Sequence, residues 1–348
     1  MLTREGVPLG PLTTLGLGGP AARLVTAYDE AEVVEAVLAA ARVPLLVLGG
    51  GSNLVVDDAG FDGTVVRVAS HGLAARRDGD DVLLTAQAGE DWDALVAHTV
   101  GEGLAGLEAM SCVPGLVGAS PVQNVGAYGA DTAQVVDRVR VLDRTSRRVV
   151  ELSARQCAFG YRASRFKADG DRWVVQAVTY RLRPDASGAP VRYAELARSL
   201  GVDVGEQAPL DEVRRAVLAL RRGKGMVVDA GDPDSRSAGS FFTNPVLDDA
   251  ELAALVARLG AAKVPGHQDG AGRTKLSAAW LIEQAGFAKG HGDGPVGLSG
   301  KHVLALVNRG GGTTAQLLQV AREVRDGVLA RCGVELVAEP VLVGGARL

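Results

Sequence analysis

The segment Gly239–Pro245, with the sequence GSFFTNP, contains the residue types most suggestive of chemistry. Aromatic residues make up 4% of the sequence, yet two adjacent phenylalanines follow Ser240 here. Glycine and proline at the two ends predict a constrained turn or the start of a strand at Ser240. Two phenyl rings can exclude water from one side of the hydroxyl, which makes Ser240 a candidate proton donor. The alternative is a strand that enters a core, with the hydroxyl bonded to the backbone.

Two further charged residues lie in settings that could make them chemically active. Glu339 lies in the apolar run 333–344, GVELVAEPVLVG, where burial would favour a protonated, acid-acting carboxyl. The alternative is an edge strand with Glu339 facing water. Arg162 follows Tyr161 in the run CAFGYRASRFK, where it could hold a carboxylate through two hydrogen bonds. A surface arginine packed over aromatic rings is the alternative.

Two glycine-rich segments could bind a ligand with their main chain. The first follows an apolar strand and consists of Gly49, Gly50, Gly51, Ser52, Asn53 and Leu54. Its amides could form a nest for a diphosphate, or the segment could be a tight turn between two strands. A strand rather than a helix follows it, which excludes a Rossmann fingerprint. The second, 111–129, reads SCVPGLVGASPVQNVGAYG and predicts either a ligand-wrapping loop or a long structural loop.

Composition limits the class of protein. A length of 348 residues indicates two or three domains, and 47% hydrophobic with 22% charged residues is typical of a globular protein. The net charge of −4 argues against a general nucleic-acid binder. No apolar run reaches the roughly 18 residues of a membrane span. Three distant cysteines and five scattered histidines predict a reducing cytoplasm and no metal site.

The pattern of elements indicates an α+β fold without a long regular βαβ series. Helical apolar spacing predicts helices at 29–43, 210–222, 248–259, 277–286 and 313–331, the first with a capping signal at Asp29. Strands are predicted on both sides of the first glycine-rich segment, at 82–88, and in the runs RVRVLDRTSRRVVEL and RWVVQAVTYRLR. The linker RPDASGAP, 183–190, is the best candidate domain boundary.

In their order and spacing, these segments resemble the UDP-N-acetylenolpyruvoylglucosamine reductase family. The resemblance runs from TTLGLGGPA to ELVAEPVLVG, and its most specific pieces are GGGSNL, PGLVGASPVQNVGAYG, FGYRASRFK, GSFFTNP and AAWLIEQAGFAKG. It implies a two-lobed FAD-binding region of the vanillyl-alcohol-oxidase (PCMH) type, followed by a C-terminal α+β substrate-binding domain. The expected boundaries are 1–70 for lobe 1, 71–185 for lobe 2 and 190–348 for the C-terminal domain, whose last strand returns near the flavin.

The resemblance implies that a hydride passes from NADPH through FAD to the vinyl group of UDP-N-acetylglucosamine enolpyruvate, giving UDP-N-acetylmuramate for peptidoglycan. It assigns catalysis to Ser240 as proton donor, Arg162 as cation and Glu339 as polarising group. It assigns substrate binding to Tyr161, Tyr193, Lys224 and Asn244. For FAD it implies Gly49, Gly50, Gly51, Ser52, Asn53, Leu54, Ser120, Pro121, Gln123, Asn124, Gly126, Ala127, Tyr128 and Gly129, mainly through their backbone.

The chain departs from the family pattern in places. Many members carry Lys where Thr243 stands and GNAGSFF where this chain has SRSAGSFF, which puts some anion contacts in question. GGGSNL lacks a histidine, so non-covalent FAD is expected. The alternative function is an FAD-dependent sugar or alcohol oxidase of the same superfamily; a binder without turnover is a third. We expect a cytoplasmic monomer without nucleic-acid or membrane partners, although the sequence leaves the oligomeric state open.

Overall fold

The structure, a computed structural model, describes residues 1–260, 264–268 and 272–348. The chain divides into two compact units. Unit 1 comprises Met1–Val7, Ala21–Gly50 and Asp62–Gly223, and unit 2 comprises Pro8–Pro20, Gly51–Phe61 and Lys224–Leu348. The chain therefore enters unit 2 twice before it remains there from Lys224 onward.

The described residues form α-helices α1 (Glu30–Ala39), α2 (Trp92–Gly101), α3 (Ser120–Gln123), α4 (Arg165–Ala168), α5 (Ala194–Leu200), α6 (Leu210–Gly223), α7 (Asp249–Leu259), α8 (Ala278–Gln284) and α9 (Thr314–Cys332). The strands are β1 (Leu2–Pro8), β2 (Pro20–Ala27), β3 (Leu45–Leu48), β4 (Leu54–Val56), β5 (Phe61–Val68), β6 (Leu73–Asp78), β7 (Asp81–Gln87), β8 (Leu104–Ala105), β9 (Gly126–Ala127), β10 (Ala130–Asp131), β11 (Val136–Asp143), β12 (Arg148–Ser153), β13 (Trp173–Pro184), β14 (Val246–Leu247), β15 (Gly266–Gln268), β16 (Thr274–Leu276), β17 (Val296–Leu298), β18 (Leu306–Asn308) and β19 (Val341–Val343).

Unit 1 contains an antiparallel sheet with the strand order β12–β11–β13–β7–β6. Its central strand β13 is buried from Trp173 to Tyr180. A strand covered on both faces must be largely apolar, which explains the run WVVQAVTY. Another sheet has the order β1–β2–β5–β3 and includes the parallel pair β3–β5. Strand β3 ends directly before Gly49, so this sheet positions the first glycine-rich segment.

Two helices of unit 1, α1 and α2, begin at capping aspartates. Asp29 accepts a hydrogen bond from the Glu32 N–H at the start of α1, and Asp91 caps α2 in the same way. Trp92 of α2 is buried against Tyr180 of β13, with the ring centroids 6.1 Å apart. The predicted helix at 29–43 is confirmed, although it ends at Ala39.

Residues 190–223 belong to unit 1, whereas the sequence-based division assigns them to the C-terminal domain. The reason is a set of polar contacts from α6 to α2 and to the segment that follows α2. Arg214 pairs with Asp93 through bonds of 2.6 and 2.9 Å, and Arg221 Nε donates to the Cys112 carbonyl at 3.1 Å. The three-part division itself stays a prediction.

Unit 2 has a core centred on α8 and α9. The predicted apolar stripe of α9 is confirmed, because its members are all buried: Leu317, Leu318, Ala321, Val324 and Val328. Thr313 caps this helix in a capping box with Gln316, and Gly333 ends it in the left-handed conformation. Short antiparallel pairings, β14–β16–β15 and β17–β18, complete the unit together with the parallel pair β4–β19.

The segment 51–61 is held in unit 2 from both sides. Its strand β4 pairs in parallel with β19, which lies near the opposite end of the sequence. Its Asp58 carboxylate then accepts the N–H groups of Thr314 and Ala315 at 2.7 and 2.8 Å, at the N-terminus of α9. An acceptor at this position satisfies amides that the helix leaves unpaired.

Candidate active site

Ser240 in unit 2 lies on a constrained backbone, as the sequence predicts. Gly239 has φ +76°, a conformation that glycine adopts without steric cost. Phe241 and Phe242 are each 1% exposed, and their rings meet edge to face at 5.1 Å. The Phe241 N–H donates to the Leu304 carbonyl at 2.7 Å. The phenylalanine pair therefore fixes the backbone after Ser240. Ser240 itself is half-buried and not fully enclosed.

Glu339 lies beside this segment in unit 2. Its N–H donates to the Phe241 carbonyl at 2.8 Å, and Phe242 and Ala338 form an antiparallel bridge. Glu339 is half-buried and lies just before β19, so its burial is intermediate between the two alternatives that the sequence allows. The proposed proton donor and the proposed polarising group are thus carried by two hydrogen-bonded neighbouring segments.

Part of the first glycine-rich segment lies against Glu339. Asn53 Nδ2 donates to the Glu339 carbonyl at 3.4 Å, and the Asn53 carbonyl accepts the Val341 N–H at 2.9 Å. Gly51 has φ +61°, and an ideal Cβ there would lie 2.0 Å from the Leu12 carbonyl oxygen. The turn therefore requires glycine for backbone packing. Asn53 is predicted to contact the cofactor mainly through its backbone, and its side chain contacts the main chain of a catalytic candidate.

Two predicted substrate-binding residues also belong to unit 2. Asn244 is half-buried, and its Oδ1 accepts the Ala278 N–H at 2.9 Å at the start of α8. This bond fixes the carboxamide and directs its donor end away from the helix. Lys224 is half-buried directly after α6, and Gly225 follows it with φ +66°.

Arg162 in unit 1 is at the tip of a tight turn. Gly160 and Ala163 exchange two backbone hydrogen bonds of 2.9 and 3.2 Å, and Arg162 between them has φ +50°. The guanidinium donates to the Gly126 carbonyl at 2.9 Å and to the Asn124 carbonyl at 3.4 Å. It also lies over the Tyr161 ring at 5.6 Å, so the aromatic packing considered as an alternative is present as well.

The second glycine-rich segment forms only short elements in the described structure, as expected for either a ligand-wrapping or a structural loop. Its helix α3 begins at Ser120, whose hydroxyl bonds to the Val117 carbonyl and to the Tyr180 hydroxyl, both at 2.8 Å. Ser120 and Pro121 are buried, and the Ser120 hydroxyl is already bonded within the protein. Gln123, Gly126, Ala127 and Tyr128 are half-buried, and Gly129 is exposed.

Tyr128 and Tyr193 contact each other in unit 1, with their rings edge to face at 5.6 Å. Burial raises the pKa of Tyr128 to about 12, so its phenol stays protonated at neutral pH. Tyr193 is 43% exposed and immediately precedes α5. Tyr161 is similarly exposed at 44%. The two exposed tyrosines therefore have ring surface available for a ligand.

The two glycine-rich segments meet within unit 1. An ideal Cβ on Gly50 would lie 2.8 Å from Gly115 Cα, and one on Gly49 would lie 3.7 Å from the Leu116 side chain. Any side chain at residue 50 would push the two backbones apart. The approach at Gly50 is between main-chain atoms, and glycine-rich amides are donors that suit a diphosphate. These residues therefore fit the diphosphate of FAD.

The sequence analysis did not identify Arg221 as a buried charged residue; it is 8% exposed. It lies on the buried face of α6 together with Leu210, Val213 and Val217. Burial lowers the pKa of Arg221, although an arginine keeps its charge at neutral pH. The signal was available, because an arginine at the end of an apolar helical stripe is unusual and indicates a buried polar partner.

The proposed site residues divide between the units. Ser240, Glu339, Lys224, Asn244 and Gly51–Leu54 belong to unit 2. Arg162, Tyr161, Tyr193, Gly49, Gly50 and the second glycine-rich segment belong to unit 1. Among the described residues, no group of histidine, cysteine, aspartate and glutamate side chains could hold a metal ion. None of the described helices is both long and apolar enough to cross a membrane.

Comparison with known proteins identifies the family. A family model described as an FAD binding domain matches residues 21–153. A second, described as UDP-N-acetylenolpyruvoylglucosamine reductase, C-terminal domain, matches residues 232–343. The α+β fold with an FAD-binding region and a C-terminal domain of this family is thereby confirmed.

Similar proteins extend over the whole chain. The UDP-N-acetylenolpyruvoylglucosamine reductase of Thermobifida fusca is 55% identical over 348 residues, covering 98% of both chains. That of Saccharopolyspora erythraea is 55% identical, covering 97% of this chain and 95% of its own. The crystal structure of the Thermus caldophilus reductase is 25% identical with a TM-score of 0.67, covering 99% of this chain and 100% of its own. The chain therefore belongs to the UDP-N-acetylenolpyruvoylglucosamine reductase family.

Proposed function

We propose that this chain reduces UDP-N-acetylglucosamine enolpyruvate to UDP-N-acetylmuramate, a precursor of peptidoglycan, with NADPH as reductant and FAD as cofactor. The observation that carries this proposal is the 55% identity to the Thermobifida fusca reductase over 98% of each chain. Overall, NADPH supplies a hydride to the vinyl group and one proton completes the product, with NADP⁺ released.

FAD, when bound, supplies the two-electron relay between NADPH and the vinyl group. We assign its binding to Gly49–Leu54 and to Ser120–Gly129. Three side chains in these segments are excluded as ligands, because they already have partners within the protein. The Ser120 hydroxyl and the carboxamides of Asn53 and Asn124 bond to other parts of the protein. The main chain of these residues is therefore the group expected to contact FAD.

Ser240 is the proposed proton donor. Hydride addition at C3 of the vinyl group places negative charge at C2, beside the carboxylate. The Ser240 O–H bond then breaks, a C2–H bond forms, and the serine regains a proton from solvent. A hydroxyl is a weak acid, so the transfer requires a fixed position within reach of C2. The left-handed Gly239 and the buried phenylalanine pair supply that rigidity.

Glu339 and Arg162 are proposed to stabilise the charge that forms beside the substrate carboxylate. Catalysis of this kind depends on groups that are oriented before the charge appears. The backbone of Glu339 is bonded to Phe241 and to Asn53, and the guanidinium of Arg162 is bonded to two carbonyls. The backbone of Glu339 and the guanidinium of Arg162 are therefore held by the fold, which favours catalytic roles for these residues.

Tyr161, Tyr193, Lys224 and Asn244 are proposed to bind the sugar nucleotide. A diphosphate requires cationic and amide donors, which Lys224 and the Nδ2 group of Asn244 supply. The exposed rings of Tyr161 and Tyr193 provide apolar surface for the sugar or the base.

We also propose that the enzyme works as a cytoplasmic monomer without nucleic-acid or membrane partners, and that the boundaries 1–70, 71–185 and 190–348 separate its functional parts.

The test is an anaerobic two-step titration of the purified yellow protein. NADPH should bleach the flavin absorbance, and UDP-N-acetylglucosamine enolpyruvate should restore it without oxygen. A reduced enzyme that is not reoxidised by the sugar nucleotide, but is reoxidised rapidly by oxygen alone, would refute the proposal and identify an oxidase. A colourless protein that cannot be reconstituted with FAD would also refute it.

A further inference from the structure

The side chain of Asn124 connects two separate segments of unit 1. Its Oδ1 accepts the Ala133 N–H at 2.9 Å, and its Nδ2 donates to the Gly160 carbonyl at 2.9 Å. Asn124 is 4% exposed. Its backbone has φ +45°, a left-handed conformation that asparagine tolerates better than most residues with a side chain. Both ends of the carboxamide are therefore occupied within the protein.

The Gly160 carbonyl that receives Asn124 lies at the base of the turn that carries Arg162. From the tip of that turn, the Arg162 guanidinium returns to the carbonyls of Asn124 and Gly126. Asn124 thus contacts the turn twice, with its carboxamide at the base and with its carbonyl at the guanidinium. These two contacts define both where the turn begins and where the positive charge lies.

We propose that Asn124 is a positioning residue for Arg162, and that its carboxamide is not an FAD ligand. The proposal rests on the proposed role of Arg162 in stabilising charge at the substrate carboxylate. It restricts the sequence-based assignment of Asn124 to cofactor binding, which was mainly through the backbone, to the main chain alone. The turn has a further attachment, from the Ser164 hydroxyl to the Val122 carbonyl at 2.7 Å, so it should remain folded when the carboxamide is removed.

The Asn124→Gly holoenzyme tests this proposal, because glycine keeps the left-handed backbone and removes only the carboxamide. The matched control is Thr132→Val, which removes a partly buried hydrogen bond to the Val125 carbonyl, next to Asn124 in the chain. We expect FAD affinity and flavin reduction by NADPH to stay within about threefold of the wild-type values, since no cofactor hydrogen bond is lost. Reoxidation by the enolpyruvyl sugar nucleotide should slow by up to roughly 100-fold, because a guanidinium displaced by about 1 Å no longer matches the developing charge.

A double-mutant cycle supplies the second readout. Added to Arg162→Ala, the Asn124→Gly change should slow reoxidation by less than about twofold, because the residue that Asn124 positions is already absent. Full additivity of the two changes would overturn the proposal. So would a loss of FAD affinity greater than about tenfold in Asn124→Gly alone, which is the effect expected for a ligand hydrogen bond.

A crystal structure of the Asn124→Gly holoenzyme gives a readout that does not depend on activity. We expect the guanidinium to have left the Gly126 carbonyl while the glycine-rich segments keep their places. An unmoved guanidinium would overturn the proposal. Wild-type enzyme that fails to reduce the sugar nucleotide would instead refute the proposed function, and the FAD affinity and the crystal structure would still decide the role of Asn124.

Discussion

The ion pair between Asp93 of α2 and Arg214 of α6 should contribute measurably to the stability of unit 1. The two carboxylate oxygens accept from the guanidinium at 2.6 and 2.9 Å, and Oδ1 also accepts the Cys112 N–H at 2.6 Å. Cys112 has φ +56° and begins the segment that leads to Gly115. Replacing the carboxylate in Asp93→Asn therefore loosens both α6 and this segment.

The magnitude follows from the number and exposure of the bonds. A hydrogen bond to a charged group contributes about 1.5–3 kcal/mol, but solvent reduces this for exposed pairs. The side chains of Arg214 and Asp93 are 19% and 29% exposed, so an intermediate value applies. We expect Asp93→Asn to lower the free energy of unfolding by about 2 kcal/mol at neutral pH.

The effect should depend on pH with a definite sign. Burial raises the pKa of Asp93, but hydrogen bonds from Arg214 and Cys112 outweigh it and leave the pKa lowered. A carboxyl with a lowered pKa in the folded state stabilises the protein above its unfolded pKa, and this contribution is lost as pH falls through the folded value. The difference between wild type and Asp93→Asn should therefore shrink below about pH 4.

Urea unfolding of both proteins at neutral and acidic pH measures this difference, and the same helix supplies a control. Asp211 pairs with Arg215 on α6, but the side chains are 67% and 69% exposed. We expect Asp211→Asn to leave the unfolding midpoint unchanged, because an exposed ion pair contributes little to the free energy of unfolding. Equal shifts for Asp93→Asn and Asp211→Asn would refute the reasoning, as would a difference that persists undiminished in acid.

Three further changes test the site and the fold. Ser240→Ala should keep FAD and its reduction by NADPH but slow sugar reduction by about 100- to 10,000-fold in stopped-flow measurements; normal turnover would exclude Ser240 as the proton donor. Arg162→Ala should likewise spare flavin reduction and slow the second half-reaction to a small but measurable rate, whereas equal damage to both halves would indicate a structural arginine. Asp58→Ala removes the acceptor at the N-terminus of α9 and should destabilise the protein by about 1 kcal/mol in urea. An unchanged midpoint would show that water replaces the Asp58 carboxylate at no cost.

The features that the sequence predicts correctly depend on neighbouring residues. Helix α9 is predicted at 313–331 and runs from Thr314 to Cys332, because its apolar stripe lies within it and its cap Thr313 and terminal Gly333 directly flank it. The left-handed backbone at Gly239 and the burial of the two phenylalanines after Ser240 also follow from neighbouring residues. Only the resemblance to a family, and not the local pattern, relates these residues to a reaction.

The features that escaped prediction depend on partners far away in the chain. No local pattern shows that β4 pairs with β19, or that Asp58 binds the start of α9. For the same reason, Ser120 could be chosen as a cofactor ligand although its hydroxyl is bonded to Tyr180. A sequence identifies a polar side chain but not the group that already occupies it, and that occupant decides whether the side chain is available to a ligand.

The two glycine-rich segments share one arrangement that explains why each contains an asparagine. Asn53 Nδ2 donates to the carbonyl of Glu339, and Asn124 Nδ2 donates to the carbonyl at the base of the Arg162 turn. In both cases a carboxamide anchors the backbone that carries a charged residue, while the neighbouring main chain stays available for a ligand. A carboxamide suits this task because it donates without adding charge beside the group that it holds. Changes at either asparagine should therefore disturb catalysis before they disturb cofactor binding.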